Sequence, residues 1–267
     1  QATRNDVQMA IDEANADGGT HGRMLEFVVK DNEGNPETAG QNVRDLAAEG
    51  VAAIVGQNLS STAGGMLPAI NETGVVTVSP TASSMVLAGL DDPMFRMNST
   101  TRQNASAYAK HHYDNGGRRV TAAFDLRNRS FSESWLQEFT AAFAALGGEV
   151  VGSAPFDAQG ESGYAAIVPT LLAGNPDAIL LVSNGVDTAQ IAQQVRKVGS
   201  DLPLIAAEWA ATEQLIELGG KSVEGLVILQ TYDRDSTDPN YVRFRDAYQN
   251  RFKSMPGYSS IAGYDAA

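Results

Sequence analysis

Ser60, Ser61 and Thr62 follow an apolar run at residues 51–55 and precede a stretch with helical spacing. In a parallel sheet, ligand sites lie at the carboxyl ends of the strands, where loops lead into helices. Free backbone N–H groups and hydroxyls at such a helix start can hold an anion such as a carboxylate. Simple capping of the helix is the alternative interpretation of these three residues.

A second group of small hydroxyl residues, at 79–84, follows the apolar run 75–78. Pro80 favours an extended conformation for the residue before it, so the loop can present its amides and carbonyls outward. Two such loops at neighbouring strand ends suggest a pocket that is lined with polar backbone groups.

Glu208 and Trp209 follow a third short run, 204–206, and place a carboxylate beside an aromatic ring. If two lobes face each other across a cleft, Glu208 could pair with the ammonium group of a ligand while Trp209 excludes water. The alternative for Glu208 is a place on the surface, where most glutamates lie.

Two further strand ends carry weaker candidates. The loop 125–131 follows the run 120–124 and ends at Phe131, which could form an aromatic wall. Asn184 follows the run 178–182 and either faces the cleft or serves the turn.

Catalysis finds little support in the residue types. The histidines are His21, His111 and His112, and there is no cysteine. No zinc-ligand spacing, no G-x-S-x-G motif and no phosphate-binding G-x-x-x-x-G-K-[ST] motif occurs. We therefore expect no catalytic residues, no metal site and no cofactor.

The elements that must position these residues alternate along the chain. Short strands that alternate with helices predict an α/β fold with parallel sheets covered on both faces, the doubly wound class. Helices are predicted at 2–16, 36–49, 61–71, 104–113, 133–146, 164–172 and 188–198. Strands are predicted at 25–29, 51–55, 75–78, 94–96, 120–124, 149–154, 178–182 and 204–206.

Two polar stretches, 97–103 and 230–239, interrupt this alternation. We interpret them as crossings between two lobes, with lobe 1 formed by residues 1–103 and 231–267 and lobe 2 by residues 104–230. The alternative is that both stretches are surface loops of a single sheet.

The charge excludes some classes of partner. The formal net charge is -13, and a field of that sign repels phosphate backbones and anionic lipid headgroups. We therefore expect no nucleic acid and no membrane surface as partners.

The chain resembles the type I periplasmic binding proteins of the leucine, isoleucine and valine family over essentially its whole length. The resemblance rests on the order and spacing of short pieces: 10–15 with Gly18-Gly19, Asp31 before Pro36, 54–56 with Ser60-Ser61, 79–82, Gly219-Gly220 with Glu224-Gly225, and 264–266. It implies two doubly wound lobes joined by a hinge.

The resemblance also implies a set of ligand contacts. In that family the ligand's carboxylate and ammonium are held by the loop matching Ser60 and by the loop matching Thr81, Ala82 and Ser83. An acidic residue of the second lobe completes the ammonium site, and Glu208 matches its position.

The match is less close around the ligand's side chain. Phe131 falls near an aromatic residue that the family places over the ligand, and Trp209 follows the acidic position. Asn184 replaces a tyrosine of the leucine-binding relatives, and the loop at Asp125 is one residue longer.

The function implied by the resemblance is that of an extracytoplasmic receptor. The receptor would be a monomer in the periplasm. It would capture a small amino acid by hinge closure and deliver it to the membrane permease subunits of an ABC transporter. The resemblance further implies that a strand precedes Gln1 and that a helix and a strand follow Ala267.

Three other functions stay open. An aromatic or other carboxylate without an ammonium group could stack on Phe131 or Trp209, but Glu208 would then be an unpaired charge near an anion. The same fold could serve as the sensing domain of a signalling receptor or of an amide-type regulator. A hydrolase lacks an assembled nucleophile and base.

Overall fold

The computed structural model describes residues 2–157 and 161–267, and the chain divides into two compact units. Unit 1 comprises Gln1–Ser83, Leu87–Asn98 and Tyr232–Ala267, and unit 2 comprises Ser84–Val86 and Ser99–Thr231. Each unit combines parallel strands with helices, so both are of the α/β class.

The helices and strands follow the predicted order between Pro36 and Ala206. The helices are α1 (Ala2–Ala16), α2 (Pro36–Ala48), α3 (Ser60–Thr73), α4 (Thr101–Asp114), α5 (Arg129–Leu146), α6 (Glu161–Leu172), α7 (Gly185–Lys197), α8 (Glu213–Gly219), α9 (Pro239–Phe252) and α10 (Tyr258–Ala266). The strands are β1 (Ile54–Val55), β2 (Thr77–Ser79), β3 (Met94–Arg96), β4 (Arg119–Asp125), β5 (Glu149–Phe156), β6 (Ala178–Val182) and β7 (Leu204–Ala206).

The sheet of unit 2 has the strand order β5-β4-β6-β7, and all its strand pairs are parallel. Val120 pairs with Ala178, and Ile179 pairs with Leu204. Because the strands are parallel, the loops that follow β4, β6 and β7 all leave from the same edge of the sheet.

Both faces of this sheet are buried. Along β6, Ile179 and Leu181 pack into one core with residues of α6 and α7, while Leu180 and Val182 pack into another with residues of α4 and α5. All four side chains have 0% exposure. A strand that is covered on both faces needs a continuous apolar run, which explains the sequence of β6.

The sheet of unit 1 has the order β1-β2-β3 and is also parallel. Its core contains Val43 of α2 and Ile70 of α3 beside Ile54 of β1. α2 and α3 approach closely because Gly65 has no side chain: a Cβ atom there would lie 2.5 Å from the Cβ of Pro36. A separate cluster joins α1 to α9 and α10.

The predicted strand at 25–29 is wrong. These residues belong to no strand, and Leu25, Val28 and Val29 are exposed. A strand needs a neighbouring strand for its backbone hydrogen bonds, and no described strand pairs with this segment. The side chain of Asn15 bonds both to the N–H of Leu25, at 2.7 Å, and to its carbonyl, at 2.9 Å.

Two short segments and the single residue Thr231 join a different unit from the lobe in which the sequence placed them. Residues 84–86 belong to unit 2, where the Ser84 hydroxyl donates to the Ser130 carbonyl at 2.7 Å. Residues 99–103 also belong to unit 2, because α4 begins at Thr101 and the Thr101 hydroxyl lies 2.7 Å from that of Ser134. That the units enclose a ligand stays a prediction.

No helix within the described part of the chain is long and apolar enough to cross a membrane.

Candidate functional site

The loops that follow β1 and β2 are joined by hydrogen bonds inside unit 1. The Thr81 hydroxyl donates to the Asn58 carbonyl at 2.9 Å, and the Ser79 hydroxyl donates to the Gln57 carbonyl at 2.5 Å. Ser79 Oγ also accepts the backbone N–H of Ala82 at 3.2 Å. These bonds fix the two serine-rich and threonine-rich loops against each other, and the pocket that the sequence suggested at these strand ends stays a prediction.

Ser60 is the first residue of α3 and not its cap. The capping position belongs to Leu59, whose side chain makes no capping hydrogen bond. Ser60 Oγ accepts the backbone N–H of Ser83 at 3.2 Å, so the predicted ligand-binding residues of the two loops contact each other directly.

The hydroxyl oxygen of Ser83 is the atom of these two loops that points most directly to a ligand contact. Its side chain is 1% exposed, and its hydroxyl oxygen has no hydrogen-bond partner among the residues described. A buried hydroxyl without a partner is unfavourable by about 1–3 kcal/mol. An acceptor from a ligand would remove that cost, so Ser83 Oγ is a candidate donor to a carboxylate.

Glu208 lies in a short 3-10 turn directly after β7 and is not a surface glutamate. Its side chain is 4% exposed. Asn104 Nδ2 donates to Oε1 at 2.8 Å, and Trp135 Nε1 donates to Oε2 at 2.9 Å. Each carboxylate oxygen therefore receives a hydrogen bond from a different helix of unit 2.

Burial raises the pKa of Glu208 above its ordinary value, while its own backbone N–H, Asn104 and Trp135 act in the opposite direction. Within the described chain, no lysine, arginine or histidine forms an ion pair with Glu208. A buried carboxylate without a positive partner attracts a cation strongly, because the low dielectric of its surroundings strengthens the interaction.

A small pocket of about 120 Å³ opens beside Glu208. It lies within unit 2 and is lined by Ser99, Asn104, Ala107, Tyr108, Glu208, Leu229, Gln230 and Thr231. The Tyr108 hydroxyl does not contact the carboxylate: it donates to the Leu229 carbonyl at 3.0 Å and accepts the Leu229 N–H at 2.9 Å. Burial and the charge of Glu208 raise the pKa of Tyr108.

Phe131 and Trp209 form an aromatic pair at the same edge of the sheet. Their ring centroids are 5.5 Å apart at an interplanar angle of 78°, an edge-to-face contact. Phe131 belongs to the first turn of α5 and is 5% exposed, whereas Trp209 is half-buried. The loops after β4 and β7 are thus joined by apolar contact, and the proximity of these rings to a ligand stays a prediction.

Asn184 serves the turn, the second of the two roles that its position suggested. Its carbonyl oxygen accepts the backbone N–H of Asp187 at 3.1 Å, which caps α7, and its amide nitrogen donates to Asp187 Oδ2 at 2.6 Å. Both ends of the Asn184 amide are therefore engaged. A contact between Asn184 and a ligand stays a prediction.

An acidic cluster that sequence reasoning missed lies beside Asn184. Asp125 and Asp187 have 0% and 2% exposure and share the guanidinium of Arg127. The Tyr164 hydroxyl donates to Asp187 Oδ1 at 2.5 Å. The two aspartates and the arginine leave one net negative charge at this edge of the sheet of unit 2.

Across the described ranges, no group of three or more His, Cys, Asp or Glu residues could hold a metal ion.

The family model described as periplasmic binding protein matches residues 1–267. The chain belongs to the periplasmic binding protein family. The interpretation of the sequence as a type I member of the leucine, isoleucine and valine group is confirmed by this match and by the relatives below.

A curated relative is the Leu/Ile/Val-binding protein BraC3 of Rhizobium johnstonii, which is 23% identical over 234 residues. That match covers 86% of this chain and 62% of the relative, so the chain spans less than two thirds of the relative's length.

Solved structures confirm the fold. A leucine-binding protein of Thermotoga maritima is 27% identical, with a TM-score of 0.89, and the match covers 99% of this chain and 76% of that one. A solute-binding protein of R. palustris in complex with benzoate is 20% identical, with a TM-score of 0.84 and coverage of 99% and 74%. The predicted fold class, parallel-sheet α/β of the type I periplasmic binding proteins, is correct.

Proposed function

We propose that the chain is the ligand-capturing part of an extracytoplasmic solute-binding receptor for a small amino acid, branched-chain or similar. The observation that carries the proposal is the buried carboxylate of Glu208, which has two neutral donors and no cationic partner in the described chain. An ammonium group is the ligand chemistry that best satisfies such a carboxylate.

The loops of unit 1 supply the complementary half of zwitterion recognition in this proposal. Ser83 Oγ is buried and has no partner among the described residues, and Ser60 orients Ser83 by accepting its backbone N–H. A ligand carboxylate would accept from Ser83 Oγ, with Thr81 and Ala82 held beside it by the loop contacts. The amino acid would then bridge the two units and favour a closed arrangement by hinge closure.

The family supports the remaining parts of the proposal. The relative from Rhizobium johnstonii is named as a Leu/Ile/Val-binding protein. We therefore propose a non-enzymatic, monomeric receptor in the periplasm that delivers its ligand to the permease subunits of an ABC transporter. A sensing role in a signalling system would use the same ligand contacts.

A carboxylate without an ammonium group is the second candidate ligand, since a relative with the same fold binds benzoate. The aromatic pair Phe131 and Trp209 could stack on such a ring. Glu208 argues against it, because an ionised buried carboxylate near a second anion would lack compensation.

The test is a thermal-shift screen of the purified chain against the standard amino acids and against aromatic and aliphatic carboxylates. Calorimetry then confirms each ligand that raises the unfolding midpoint. A ligand at 100 times its dissociation constant raises the free energy of unfolding by about 2.7 kcal/mol. We expect aliphatic amino acids to raise the midpoint. A rise only with carboxylates that lack an ammonium group would favour the second candidate and exclude the first.

A further inference from the structure

We propose that Asn104 and Trp135 are positioning residues that hold the Glu208 carboxylate in one orientation and in its ionised form, ready for the ligand's ammonium group. The inference rests on the proposed function, because it explains how unit 2 keeps a charge available in a buried place. Neither residue was a candidate from the sequence.

The geometry supports a positioning role. Asn104 lies on α4 and Trp135 on α5, and each donates one hydrogen bond to a different oxygen of Glu208, at 2.8 Å and 2.9 Å. Two donors on separate elements restrict both the rotation of the carboxylate plane and its position. A side chain fixed in this way loses less entropy when a ligand binds.

The bonds also favour the charged form. An amide N–H and an indole N–H can only donate, so they stabilise an acceptor carboxylate and disfavour a protonated oxygen at each position. Burial acts in the opposite direction and raises the pKa of Glu208. The donors therefore oppose the protonation that burial alone would cause.

Trp135 is held rigidly by its neighbours. Its side chain has 0% exposure, its ring stacks on Phe139 with centroids 5.6 Å apart, and Tyr108 contacts it edge-on at 5.1 Å. The indole N–H is thus fixed by aromatic packing and does not need to reorganise when a ligand arrives.

The surroundings contain little else that could set the charge state of Glu208. Among the described residues that line its pocket, Tyr108 is the only other titratable group, and its hydroxyl is bonded to the Leu229 backbone. The remaining side chains of that lining are neutral. Removal of Asn104 or Trp135 as a donor should therefore act directly on the protonation of Glu208.

The first measurement needs no ligand. Carboxyl carbon NMR of the chain with labelled glutamate would follow the titration of Glu208, and Glu208→Gln would identify its signal by loss. We expect Asn104→Leu and Trp135→Phe each to raise the titration midpoint by about one pH unit, the size expected for the loss of one hydrogen bond to a charged group.

A matched control separates this effect from simple destabilisation. Phe143→Leu removes apolar volume from the same core, where its ring contacts Phe139, but it leaves the ring contacts of Trp135 and both hydrogen bonds to Glu208 in place. We expect it to lower the midpoint of thermal unfolding without moving the titration of Glu208. Midpoints that agree in the parent, Asn104→Leu and Trp135→Phe would overturn the proposal.

The second measurement connects the proposal to binding. Calorimetric titration with L-leucine at a series of pH values on both sides of the Glu208 midpoint found by NMR should show binding that weakens as pH falls through that midpoint, and in both donor variants this loss should begin at higher pH. If the parent binds no amino acid at any pH, the proposed function fails, while the NMR titration still decides whether Asn104 and Trp135 control Glu208.

Discussion

At the scale of single residues, the informative groups are buried polar atoms that the protein leaves without a full set of partners. Among the described residues, Glu208 has two neutral hydrogen-bond donors and no cationic partner, and Ser83 Oγ has no hydrogen-bond partner. Such groups are costly in a folded protein unless a ligand completes them. Contacts of a ligand with these two groups should therefore contribute most to its binding free energy.

Glu208→Ala should weaken the binding of L-leucine or a similar amino acid by about 2 kcal/mol or more, because a buried charge partner of the ammonium is lost. Calorimetry measures the change. Glu217→Ala is the matched control, since Glu217 is exposed on α8 and should leave the affinity unchanged. Equal affinities of the parent and Glu208→Ala would remove Glu208 from the site.

Ser83→Ala should raise the free energy of unfolding by about 1 kcal/mol, because it removes a buried hydroxyl that has no hydrogen-bond partner among the described residues. The same variant should bind a carboxylate ligand about fivefold more weakly, since one donor is lost. Thermal unfolding and calorimetry give the two values.

Ser79→Ala is the control for Ser83. The Ser79 hydroxyl bonds to Gln57 and Ala82, so its removal should lower the free energy of unfolding by about 1 kcal/mol. If Ser83→Ala destabilised the unliganded chain as much as Ser79→Ala does, Ser83 Oγ would have a structural partner and not a ligand role.

The sequence predicted Glu208 as a candidate because it directly follows a strand, but it predicted neither of its donors. Asn104 and Trp135 are separated from Glu208 by 104 and 73 residues along the chain. Residues that are brought together only by helix packing leave no local spacing that a single sequence could reveal.

At the scale of elements, the edge of the sheet in unit 2 is stabilised by charge as well as by apolar packing. Arg127, which follows β4, binds Asp125 of the same strand and Asp187 in the first turn of α7. The guanidinium is 36% exposed, while both carboxylates are buried. One cation therefore ties the end of a strand to the start of a helix that is 60 residues away.

Arg127→Met should lower the free energy of unfolding by about 3 kcal/mol, because two buried carboxylates would lose their cation. Urea unfolding measures the loss. Arg129→Met is the matched control: Arg129 pairs with Glu133 on the surface of α5, so its loss should cost less than about 0.5 kcal/mol. Similar losses in the two variants would contradict a special role for Arg127.

Asp6 makes the stability of unit 1 depend on pH. Its side chain is fully buried on α1, and neither of its oxygens has a hydrogen-bond partner of good geometry among the described residues. Burial raises the pKa of Asp6 to about 7, and the hydroxyls of Ser260 and Tyr248 nearby offset only part of the increase. The unfolded chain titrates near 3.8 at this residue.

Because the pKa of Asp6 is higher in the folded chain than in the unfolded chain, the free energy of unfolding should fall as pH rises between these two values. Well below pH 3.8 the carboxyl is protonated in both states and adds no pH-dependent cost, but between pH 3.8 and about pH 7 the cost of burying its charged form grows as pH rises, and well above pH 7 the cost no longer changes. Asp6→Asn should therefore be more stable than the parent at pH 8, by on the order of 2 kcal/mol, and nearly equal to it at pH 4. A difference that stays constant across this range in urea unfolding would refute the assignment.

Sequence patterns predicted elements well where their own residues decide the structure. The strands at 178–182 and 204–206 have the predicted bounds, because strands covered on both faces are continuously apolar. The strand at 25–29 failed because a strand also depends on a neighbour, and the apolar pattern of one segment says nothing about whether a partner strand is there. The helices α8 and α9 were not predicted.

At the scale of the whole molecule, the predicted ligand contacts are distributed over two units of the chain. Ser60, Thr81, Ala82 and Ser83 belong to unit 1, and Phe131, Asn184, Glu208 and Trp209 belong to unit 2. The proposed function requires one ligand to contact residues of both units.

Hydrogen exchange should test this requirement directly. Addition of L-leucine should slow amide exchange in peptides that cover 57–60 and 79–83 of unit 1 and, in the same experiment, in those that cover 207–211 of unit 2. The helix α6, which packs on the opposite face of the sheet from α4 and α5, serves as the internal control and should show no change. Protection confined to one unit would show that the ligand does not bridge them.

The engagement of Asn184 has a consequence for how specificity could diverge within such a receptor. Its amide is occupied by Asp187, and Asp187 is itself shared with Arg127 and Tyr164. A substitution at position 184 would remove a hydrogen bond to the buried Asp187, and this loss would offset any new contact between the substituted side chain and a ligand. Substitutions at 184 and 187 should therefore show strong epistasis, and laboratory evolution that varies the two codons together should reach new ligands that single-codon libraries miss.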